Sequence, residues 1–578
     1  MCIRDRHKGL DVVKMSFLPR NKLNLGFEGN MLVTLDGKFS IIKLDLTIMD
    51  EINMNWIEDL KVSQEFKFEN DTWILEKDEI WMDFKIIGDG IGFIGRKNSF
   101  YDDYDFENKP DDDVFSGTNK KIVADDAFEK GDEYWSDNRI VPLTTNEESI
   151  YQMVDSIQKV PAFKSFLTAI SIATTGYVKV GPVDIGPIIG FYSFNDIEGS
   201  KLRLSTQTNL DFSKKLNIQA QATYGTRDRE WKYTGKATYS FNKDYKENPK
   251  HELSFSIFHD TKFPGFRLEL VNEANFLLSF KRGLDDQLIF FDEYRLNYLL
   301  ETKSDFAFSA FIDHKRERAY GTLTFNHTDE NGEIAAFGSV NATEIGGRIR
   351  WAPNEEFIQG RSYRYTFLSK YPVFTLDYAK GIEDFLQGDY SYHRVQLGIF
   401  KKFNLSFAGN LQVNLEGGKL FGEGIPYNLL FLPRANQSYF YQDFSYNMMN
   451  FIEFVNDEYV SINARYYPDG FILNKIPLIK RLKLREAFGF KMLYGRITDP
   501  NNPDLHPELL QLATRNGERT TFTLEEEPYY EVSAGLKNIF KVIGVDFVWR
   551  LNYLDNPNIP ILFGKKGLGV RVRVNVEF

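Results

Sequence analysis

The stretch LGVRVRVNVEF, residues 568–578, decides the fold. It is apolar at every second position, namely Leu568, Val570, Val572, Val574, Val576 and Phe578. The residues between them are small, polar or charged, and they include Arg571 and Arg573. Successive side chains of a β-strand point to opposite faces, so the pattern predicts a strand with one apolar face and one charged face.

The same alternation recurs along most of the chain. In EGSKLRLSTQTNLDF, residues 198–212, Leu202 and Leu204 alternate with Lys201 and Arg203. Similar segments are NIQAQATYGT, WKYTGKATYSFN, HELSFSIF, DEYRLNYL, NLQVNLEGG, YYEVSAGL and VIGVDFVWRLNYL. Counted in this way, residues 173–578 are predicted to form one continuous series of about 14 to 16 antiparallel strands.

Three features favour a membrane barrel over a soluble all-β fold. Tyr, Phe and Trp are frequent near the predicted strand ends, as in the aromatic girdles of membrane barrels. The polar faces carry charges of both signs, such as Lys232, Asp546 and Arg550, which a packed core does not tolerate unpaired. So many strands in one sheet also require closure. We therefore expect an all-β fold, a transmembrane antiparallel β-barrel in contact with the lipid of a Gram-negative outer membrane.

Composition excludes several other classes. The 578 residues carry a formal net charge of -12 without a basic stripe, which argues against nucleic acid as a partner. No run approaches the roughly 18 to 20 apolar residues of a membrane-spanning helix. The single cysteine, Cys2, excludes disulfide frameworks and thiolate metal sites.

The region before the barrel is predicted to contain four units. They are a non-native leader with a remnant linker (1–22), a small periplasmic antiparallel β-sheet (23–96), an acidic loop or linker (97–145) and an amphipathic helix (146–172). Asp36 and Gly37 predict a tight hairpin turn in the sheet. Thr144 or Thr145 with Glu147 or Glu148 resembles a capping box at the start of the helix, and Pro161 should kink or interrupt that helix.

Six stretches, in this order, carry a family resemblance. YWSDNRIVPLTTNEESIY contains Trp135, Arg139 and Pro142, SFNDIEGSKLRL contains Asn195, Glu198 and Gly199, and YGTRD, GEGIPYNLL, SYNMMNFIEFVNDEYV and IPLIKRLKLREAFG follow. Together they resemble the uncharacterised (domain-of-unknown-function) outer-membrane β-barrel family of Bacteroidota that usually follows a carboxypeptidase-regulatory-like domain. The signal peptide and regulatory-like domain expected of that family are absent, so the resemblance implies an amino-terminally truncated member. The family has no settled activity to carry over.

No cofactor and no metal site is predicted. GIGFIG, with Gly90, Gly92 and Gly95, fits the dinucleotide pattern G-x-G-x-x-G, but no helix follows it. The histidines lack metal-ligand spacing. The acidic run 111–113 lacks the glycine and the spaced oxygen ligands of an EF-hand, so we interpret it as a solvated loop.

Two Asp and His pairs leave a hydrolase as the least favoured function. His259 precedes Asp260, and Asp313 precedes His314, near predicted strand ends. Because neighbours on a strand face opposite sides, only one member of each pair can face the lumen. Solvated rim residues are the favoured interpretation, and we expect the chain to be non-enzymatic.

Two further sets of residues are predicted to serve the barrel. Glu453, Asp457, Arg485 and Glu486 are expected to form a lumenal salt-bridge network, with substrate contact as the alternative. Val570, Val572, Val574, Val576 and Phe578 resemble the signal that barrel-assembly machinery reads during insertion. Their strand is expected to close the barrel against the strand near Leu202.

The favoured function is envelope transport or outer-membrane biogenesis, in which the periplasmic sheet receives a protein or lipid cargo. The alternative is a surface structural or adhesion protein with a closed lumen, whose outer loops, residues 422–446 and 496–527, bind ligands or cells. Whether the lumen is open, plugged or gapped between its first and last strands separates these functions.

Overall fold

The computed structural model describes a small sheet, three consecutive helices and a large closed sheet, with a further helix of one turn, Pro477–Lys480, between two strands of the large sheet. The residues that it describes are 2–20, 26–49, 54–87, 91–108, 130–264, 279–359, 364–367, 369–480, 482–524 and 527–574. Within these ranges, no helix is both long and apolar enough to cross a membrane.

The small sheet is an antiparallel meander of seven strands in chain order. Its strands are β1 (Cys2–His7), β2 (Leu10–Phe17), β3 (Phe27–Thr34), β4 (Ile41–Ile48), β5 (Ile57–Glu69), β6 (Thr72–Ile87) and β7 (Ile91–Phe100). It therefore begins earlier than the predicted range 23–96, since β1 pairs with β2. The predicted turn at Gly37 is present, with a φ of 88° that glycine adopts readily.

Three helices follow, α1 (Asp132–Asn138), α2 (Thr145–Lys159) and α3 (Pro161–Thr175). The predicted capping box is present, because Thr144 accepts from the Glu147 N–H and Glu147 accepts from the Thr144 N–H. Pro161 opens α3, where its missing N–H costs no helical hydrogen bond. The predicted amphipathic helix is thus two helices that meet at Val160.

The large sheet begins with three short strands, β8 (Val178–Val180), β9 (Val183–Ile185) and β10 (Tyr192–Asn195). Fifteen longer wall strands follow: β11 (Gly199–Thr208), β12 (Leu216–Gly225), β13 (Trp231–Ser240), β14 (His251–Lys262), β15 (Gln287–Glu301), β16 (Phe306–Gly321), β19 (Val340–Trp351), β22 (Val373–Gly381), β23 (Tyr392–Asn404), β24 (Asn410–Phe421), β25 (Glu458–Tyr467), β26 (Arg485–Arg496), β29 (Tyr529–Ile539), β30 (Ile543–Arg550) and β33 (Leu568–Val574). Four hairpins lie in the connections: β17 (Asn326–Thr328) with β18 (Ile334–Ala336), β20 (Phe357–Gln359) with β21 (Arg364–Thr366), β27 (Thr514–Arg515) with β28 (Glu518–Arg519), and β31 (Ile561–Leu562) with β32 (Lys565–Lys566).

The large sheet closes into a barrel. Each wall strand from β11 to β33 pairs antiparallel with the next one in chain order. The ring is completed because β33 pairs with β8, β8 with β9, and β9 with β11. The strand number agrees with the prediction, and the last strand meets β11 through the β8–β9 hairpin rather than directly.

The two ends of the barrel differ. At one, here called the turn end, connections such as residues 302–305 and 540–542 are short. At the other, the loop end, residues 263–286, 422–457 and 497–528 form long connections. The β8–β9 hairpin turn lies toward the turn end, because β9 runs from there toward the loop end. The chain therefore leaves α3 and enters β8 on the loop-end side of this hairpin.

Burial in the wall is the reverse of that in a soluble protein. Arg571 is 2% exposed, whereas Val574 on the same strand is 61% exposed. Likewise Lys201 and Arg203 on β11 are buried while Leu202 is 54% exposed. The charged faces therefore line the lumen and the apolar faces form the exterior, as in a barrel that lipid surrounds.

Aromatic side chains gather at both ends of the exterior. At the turn end the ring of Trp351 lies 5.5 Å from that of Phe306 and 5.7 Å from that of Phe374. At the loop end Tyr224 and Trp231 have ring centroids 5.1 Å apart. These two groups match the predicted aromatic girdles.

The small sheet contacts the turn end of the barrel through buried amides. The Asn55 Nδ2 donates to Asn538 Oδ1 at 2.6 Å, and Asn538 Nδ2 donates to Asn55 Oδ1 at 3.0 Å. The Lys483 ammonium also donates to the Met54 carbonyl, and the Lys541 ammonium lies over the Trp56 ring. The connection between β4 and β5 thus docks on the barrel beside β29 and β30.

Replacing Asn55 with alanine is expected to loosen this contact, because it leaves the Asn538 amide buried without its reciprocal partner. A buried group left unsatisfied costs about 1–3 kcal/mol. Tryptic cleavage after Lys483 and Lys541 in bilayer-embedded protein should then become faster. The Asn30→Ala variant, which changes an asparagine on the outer part of the small sheet, is the control. Equal cleavage rates in both variants would contradict the docking role of Asn55.

Candidate functional site

The connection between β24 and β25, residues 422–457, fills the lumen, and we call it the plug loop. It is buried along most of its length, and Asn436, Ser438, Asn447, Met448 and Phe454 have no exposed surface. Phe454 and Met449 pack with Tyr529 and Leu493 of the wall in one apolar cluster. A second apolar cluster joins the plug loop to residues 322–339 and 497–528 at the loop end. The barrel is therefore plugged and capped.

Two wall residues grip the centre of the plug loop. The Glu531 carboxylate accepts the Asn447 N–H at 2.9 Å through Oε2 and the Met448 N–H at 2.7 Å through Oε1. The Arg571 guanidinium donates to the Asn447 carbonyl, from Nε at 3.1 Å and also from Nη2. One peptide of the plug loop is thus held at both its amide and its carbonyl by inward-facing charges from β29 and β33.

A buried ion pair holds the end of the plug loop. The Arg550 Nη2 lies 2.7 Å from Glu453 Oε1, and both side chains are almost fully buried. The same carboxylate accepts from Asn556 Nδ2 at 2.9 Å and from the Asn450 N–H at 2.8 Å. Both oxygens of the Glu453 carboxylate therefore accept hydrogen bonds, which a buried charge requires.

A third anchor lies nearer the turn end of the lumen. Arg573 donates to both oxygens of Asp443, at 3.0 and 3.1 Å, in a bidentate pair. Burial raises the pKa of Asp443, but Arg573 and Arg465 outweigh this effect, so that the pKa lies below the usual value. Asp443 is therefore a carboxylate at neutral pH, and the anchor is an ion pair.

The wall between β33 and β10 is unusual, because two loop segments replace the direct ladder there toward the loop end. Phe440 of the plug loop forms a bridge with Val572, whose N–H donates to the Tyr439 carbonyl at 2.8 Å. On its other side, Ser438 forms an antiparallel bridge with Lys281. We call residues 279–282 and 437–441 the seam segments.

The seam segments behave as short strands of the wall. In each seam segment an exposed aromatic residue follows a buried serine. Phe280 is exposed and Ser279 is buried, and likewise Tyr439 is exposed and Ser438 is buried. The Phe280 ring packs edge-on against Phe194 of β10, with ring centroids 5.4 Å apart. The Phe194 N–H donates to the Ser279 hydroxyl at 3.0 Å. This stretch of wall therefore consists of β33, the two seam segments and β10, in that order.

Cavities remain in the lumen beside the plug loop. One of about 350 Å³ lies against the inner faces of β10 to β15, and the seam residues Ser279 and Lys281 line it. Another of about 560 Å³ is lined by inner faces from β15 to β26 and by residues 428–434 of the plug loop. Lys262 and Phe263 line both, so the cavities adjoin and lead to the seam.

Glu198 organises the wall beside the first cavity. Its carboxylate lies 2.9 Å from the Lys201 ammonium and 2.9 Å from the Lys232 ammonium, and Lys232 also lies 2.6 Å from Asp228. The Asn195 Oδ1 accepts the Glu198 N–H at 2.7 Å, which sets the turn into β11. The cluster therefore connects the β10–β11 turn with β13.

The family-motif residues have separate local roles. Gly199 has a φ of 71°, and a Cβ there would lie 2.8 Å from Thr226 Oγ1, so glycine is required. Trp135 lies on α1 with its ring against Tyr134, and the Arg139 guanidinium lies over the Tyr151 ring. Pro142 lies in the connection between α1 and α2.

The four residues predicted to form one lumenal network lie at two different heights in the barrel, Glu453 and Asp457 toward the loop end and Arg485 and Glu486 at the turn end. Glu453 pairs with Arg550, and Asp457 accepts from the Thr498 N–H and from Asn501 at the loop end. Arg485 and Glu486 begin β26 at the turn end.

Glu486 has a turn-forming role there. Its carboxylate accepts the N–H groups of Gly470 and Ile472 at 2.9 Å each, and that of Leu473. Alternation along a strand predicts which face a residue lies on but not its height in the barrel. The sequence therefore did not show that Glu453 and Asp457 lie far from Arg485 and Glu486.

The predicted assembly signal lies on β33. Val570 and Val572 are half-buried, Val574 is exposed, and the arginines between them point into the lumen, as predicted. Val576 and Phe578 lie outside the described residues. The role of this strand in assembly stays a prediction.

The Asp and His pairs point to opposite faces, as predicted. His259 contacts Asp292 of the neighbouring strand and stacks on Tyr233, while Asp260 lines the first cavity. Asp313 is buried in the lumen, and the His314 Nδ1 contacts the Thr343 hydroxyl at 2.9 Å.

Neither the G-x-G-x-x-G motif nor the acidic run forms a binding site in the ranges that the structure describes. No three His, Cys, Asp or Glu side chains there gather as metal ligands. Gly92 and Gly95 lie on β7, and Gly90 and residues 111–113 lie outside the described residues.

Sequence reasoning missed the residues that hold the plug loop, above all Glu531, Arg550 and Arg571. It also missed the seam segments. One signal was available, because only five of the 36 residues 422–457 are charged. A long connection with so few charges is more typical of buried than of solvated chain.

Two family models match the sequence. Residues 4–104 match the Family of unknown function (DUF5686), and residues 295–500 match the DUF5686 C-terminal domain. The two matched ranges together cover just over half of the chain. No curated protein matches it.

Three solved structures have some likeness to this chain. BamA from Haemophilus ducreyi lacking POTRA domains 1-3 is 8% identical over 68% of this chain and 70% of that chain, with a TM-score of 0.39. CdiB from Acinetobacter baumannii is 11% identical over 66% and 57%, with a TM-score of 0.32. The FrpB iron transporter from Neisseria meningitidis is 9% identical over 93% and 74%, with a TM-score of 0.24. At such scores these likenesses assign no function, and the fold rests on the strand pairing described above.

Proposed function

We propose that this chain, a member of the family of unknown function DUF5686, is an outer-membrane β-barrel protein of envelope transport or outer-membrane biogenesis that passes its cargo between lumen and bilayer at the seam. The small sheet lies in the periplasm in this proposal and receives the cargo, and the protein is non-enzymatic. An origin in Bacteroidota and a preceding carboxypeptidase-regulatory-like domain, which the sequence resemblance implies, belong to the same proposal.

The seam carries this proposal. Four main-chain hydrogen bonds hold the seam segments to each other and to β33: Val572 N–H to Tyr439, Tyr441 N–H to Val572, Arg282 N–H to Gln437 and Tyr439 N–H to Phe280. By comparison, β15 and β16 pair over fifteen residues. The β8–β9 and β9–β11 pairings in the same part of the wall span only three residues each. Since a main-chain hydrogen bond contributes about 1 kcal/mol net, we expect the wall to part most easily between β33 and β11, the part that contains the seam.

The plugged lumen supports a lateral route over an axial one. Solutes moving along the axis would have to displace both the plug loop and the apolar cluster at the loop end. Movement at the seam requires residues 279–282 and one part of the plug loop, residues 437–441, to leave the wall, and the cavity behind them offers room of about 350 Å³. The Arg282 contacts with Asn450 and with the Met449 carbonyl would have to separate as well. Charged groups such as Lys201 and Asp260 line that cavity, so it suits the polar part of an amphipathic cargo.

The second candidate is a surface structural protein with a permanently closed barrel. The apolar cluster at the loop end favours it, because Leu323, Tyr427 and Leu510 from three loops pack there as a rigid outer surface. A cross-link across the seam separates the two candidates, since only the first needs the seam to open.

A disulfide between Lys281→Cys and Ser438→Cys, in a chain with Cys2→Ser, is expected to abolish function. The two positions form an antiparallel bridge, so their Cα atoms lie about 4.5–5.5 Å apart and suit a disulfide. In a host that lacks the native gene, the oxidised variant should fail to restore the envelope barrier against vancomycin and bile salts. A thiol reductant should restore it.

The matched control places the disulfide in a continuous ladder. Ser254→Cys with Asn297→Cys joins opposed residues of β14 and β15. It should restore the barrier whether oxidised or reduced. Full function of the oxidised seam variant would exclude the lateral route and leave the structural protein.

A further inference from the structure

The first cavity beside the seam, of about 350 Å³, presents more cations than carboxylates. Among the described residues, the carboxylates that line it are Glu198 and Asp260. The cations that line it are Lys201, Arg203, Lys236, Lys262 and Lys281. In a cavity with walls of low dielectric constant, such an imbalance raises the electrostatic potential and favours anions.

Both carboxylates already have lysine partners. Glu198 lies 2.9 Å from Lys201 and 2.9 Å from Lys232, and Asp260 lies 3.7 Å from Lys201. A carboxylate in contact with an ammonium group has little net charge to offer a further cation. A cationic ligand would therefore have to compete with these lysines.

The carboxylate partners of two other lysines lie outside the lining of this cavity. The Lys262 ammonium lies 2.6 Å from Glu317, which lines the second cavity instead. The Lys281 ammonium lies 3.2 Å from Asp285, which lines neither cavity. Both lysines thus line the first cavity while their carboxylates do not, so they present positive charge to it.

Lys236 is the cation most accessible to a ligand. It is exposed although it shares the lumenal face of β13 with the buried Lys232, and no ion pair is found for it in the described part of the chain. Gln219, its opposed residue on β12, is exposed as well and lines the same cavity. Water therefore reaches this part of the lumen, and because an apolar cluster caps the loop end, it enters from the turn end.

The remaining lining suits a phosphate group that carries an apolar chain. The Ser193 and Thr234 hydroxyls and the Gln221 amide can donate to phosphate oxygens beside the lysines. Phe194 also belongs to the lining, and its ring contacts that of Phe280, which is 44% exposed on the exterior. Apolar side chains thus extend from the cavity lining to the lipid-facing surface at the seam.

We infer that the first cavity binds the phosphate headgroup of an anionic lipid, whose acyl chains leave the cavity past Phe194 and Phe280 at the seam. This rests on the lateral route of the proposed function and names the class of its cargo. A zwitterionic headgroup brings an ammonium group of its own, which Lys236 and the neighbouring cations repel. The cavity therefore prefers a lipid such as phosphatidylglycerol to phosphatidylcholine.

Lipid binding to the full chain in nonionic detergent tests this preference. Measured by microscale thermophoresis, dihexanoylphosphatidylglycerol should bind several-fold more tightly than dihexanoylphosphatidylcholine, and Lys236→Glu should remove most of the difference. The matched control is Lys402→Glu, since Lys402 shares the lumenal face of β23 with Arg394 but lines neither cavity. Equal affinity for the two lipids in the native chain, or an equal loss in both variants, would overturn the inference.

Inorganic phosphate distinguishes a lipid site from a site for the free ion. Phosphate has no chains to pack at the seam, so it should displace dihexanoylphosphatidylglycerol only at a concentration many-fold above that of the lipid. Displacement at equal concentration would refute the assignment to a lipid.

Thiol modification locates the bound lipid. In a chain with Cys2→Ser and Gln219→Cys, an anionic methanethiosulfonate reagent should react several-fold faster than a cationic one, because the surrounding cations attract it. Dihexanoylphosphatidylglycerol should slow both reactions. Unchanged rates in the presence of bound lipid would place the lipid outside the cavity and contradict the inference.

The seam disulfide in the envelope-barrier assay keeps the two proposals distinguishable. If the oxidised seam abolishes function but lipid binding shows no charge preference, the lateral route stands and the anionic headgroup is refuted. If the charge preference is present but the oxidised seam functions fully, the cavity still binds the headgroup and the route past the seam is refuted.

Discussion

Replacing Glu531 with alanine is expected to free the plug loop and to let the lumen conduct ions. The carboxylate is the acceptor for the N–H groups of Asn447 and Met448, and both of these residues are fully buried. Each buried amide that loses its acceptor costs about 1–3 kcal/mol. The closed arrangement should therefore lose roughly 2–6 kcal/mol, which lowers the ratio of closed to open barrels roughly thirty-fold or more.

Conductance across planar bilayers measures this effect. The native protein should stay closed, and the Glu531→Ala variant should show long-lived openings. The control is Glu458→Ala, because Glu458 pairs with Lys419 and Arg496 on the more exposed rim, where an ion pair contributes up to about 1 kcal/mol. If Glu531→Ala inserts normally and still does not conduct, Glu531 is not what keeps the plug loop in place.

The second large effect is expected at Lys232, which is fully buried between Glu198 and Asp228. Changing Lys232 to alanine leaves two carboxylates in the wall without their shared cation. Removing one partner of a buried ion pair typically costs about 3–5 kcal/mol. The folded barrel should therefore unfold at a markedly lower temperature than the native protein.

Heat-modifiable migration on gels measures the unfolding temperature. Lys236 offers a close control, since it lies four residues further along the same strand and lines the first cavity, and no ion pair is found for it among the described residues. Lys236→Ala should unfold almost as the native protein does. An equal fall in unfolding temperature in both variants would contradict the role of the buried pairing with Glu198 and Asp228. It would show that any lysine charge on this face has the same effect.

The sequence was sufficient to predict which side chains of a strand face lipid. The alternation in β11 separates Lys201 and Arg203 from Leu202 and Leu204, and the structure buries the first pair and exposes the second. Such predictions depend on neighbours along the chain alone. The same is true of the capping box at the start of α2 and of the interruption of the helix at Pro161.

The plug loop was not predictable in this way, because its position depends on contacts between distant parts of the chain. Asn447 is held by Glu531 and Arg571, which lie 84 and 124 residues further on. The seam likewise combines residues 279–282 with residues 437–441. No periodicity marks either stretch, so only the three-dimensional arrangement identifies them as parts of the wall.

The arginines of β33 couple the plug to the order in which the barrel is made. Arg571 and Arg573 fasten the plug loop at Asn447 and Asp443, and they lie on the wall strand that is synthesised last among those described. These two anchors can form only after that strand has joined the wall, whereas Glu531 and Arg550 belong to strands made earlier. Joining of the last wall strand to the ring and the last fastening of the plug loop are therefore coupled through the same two arginines.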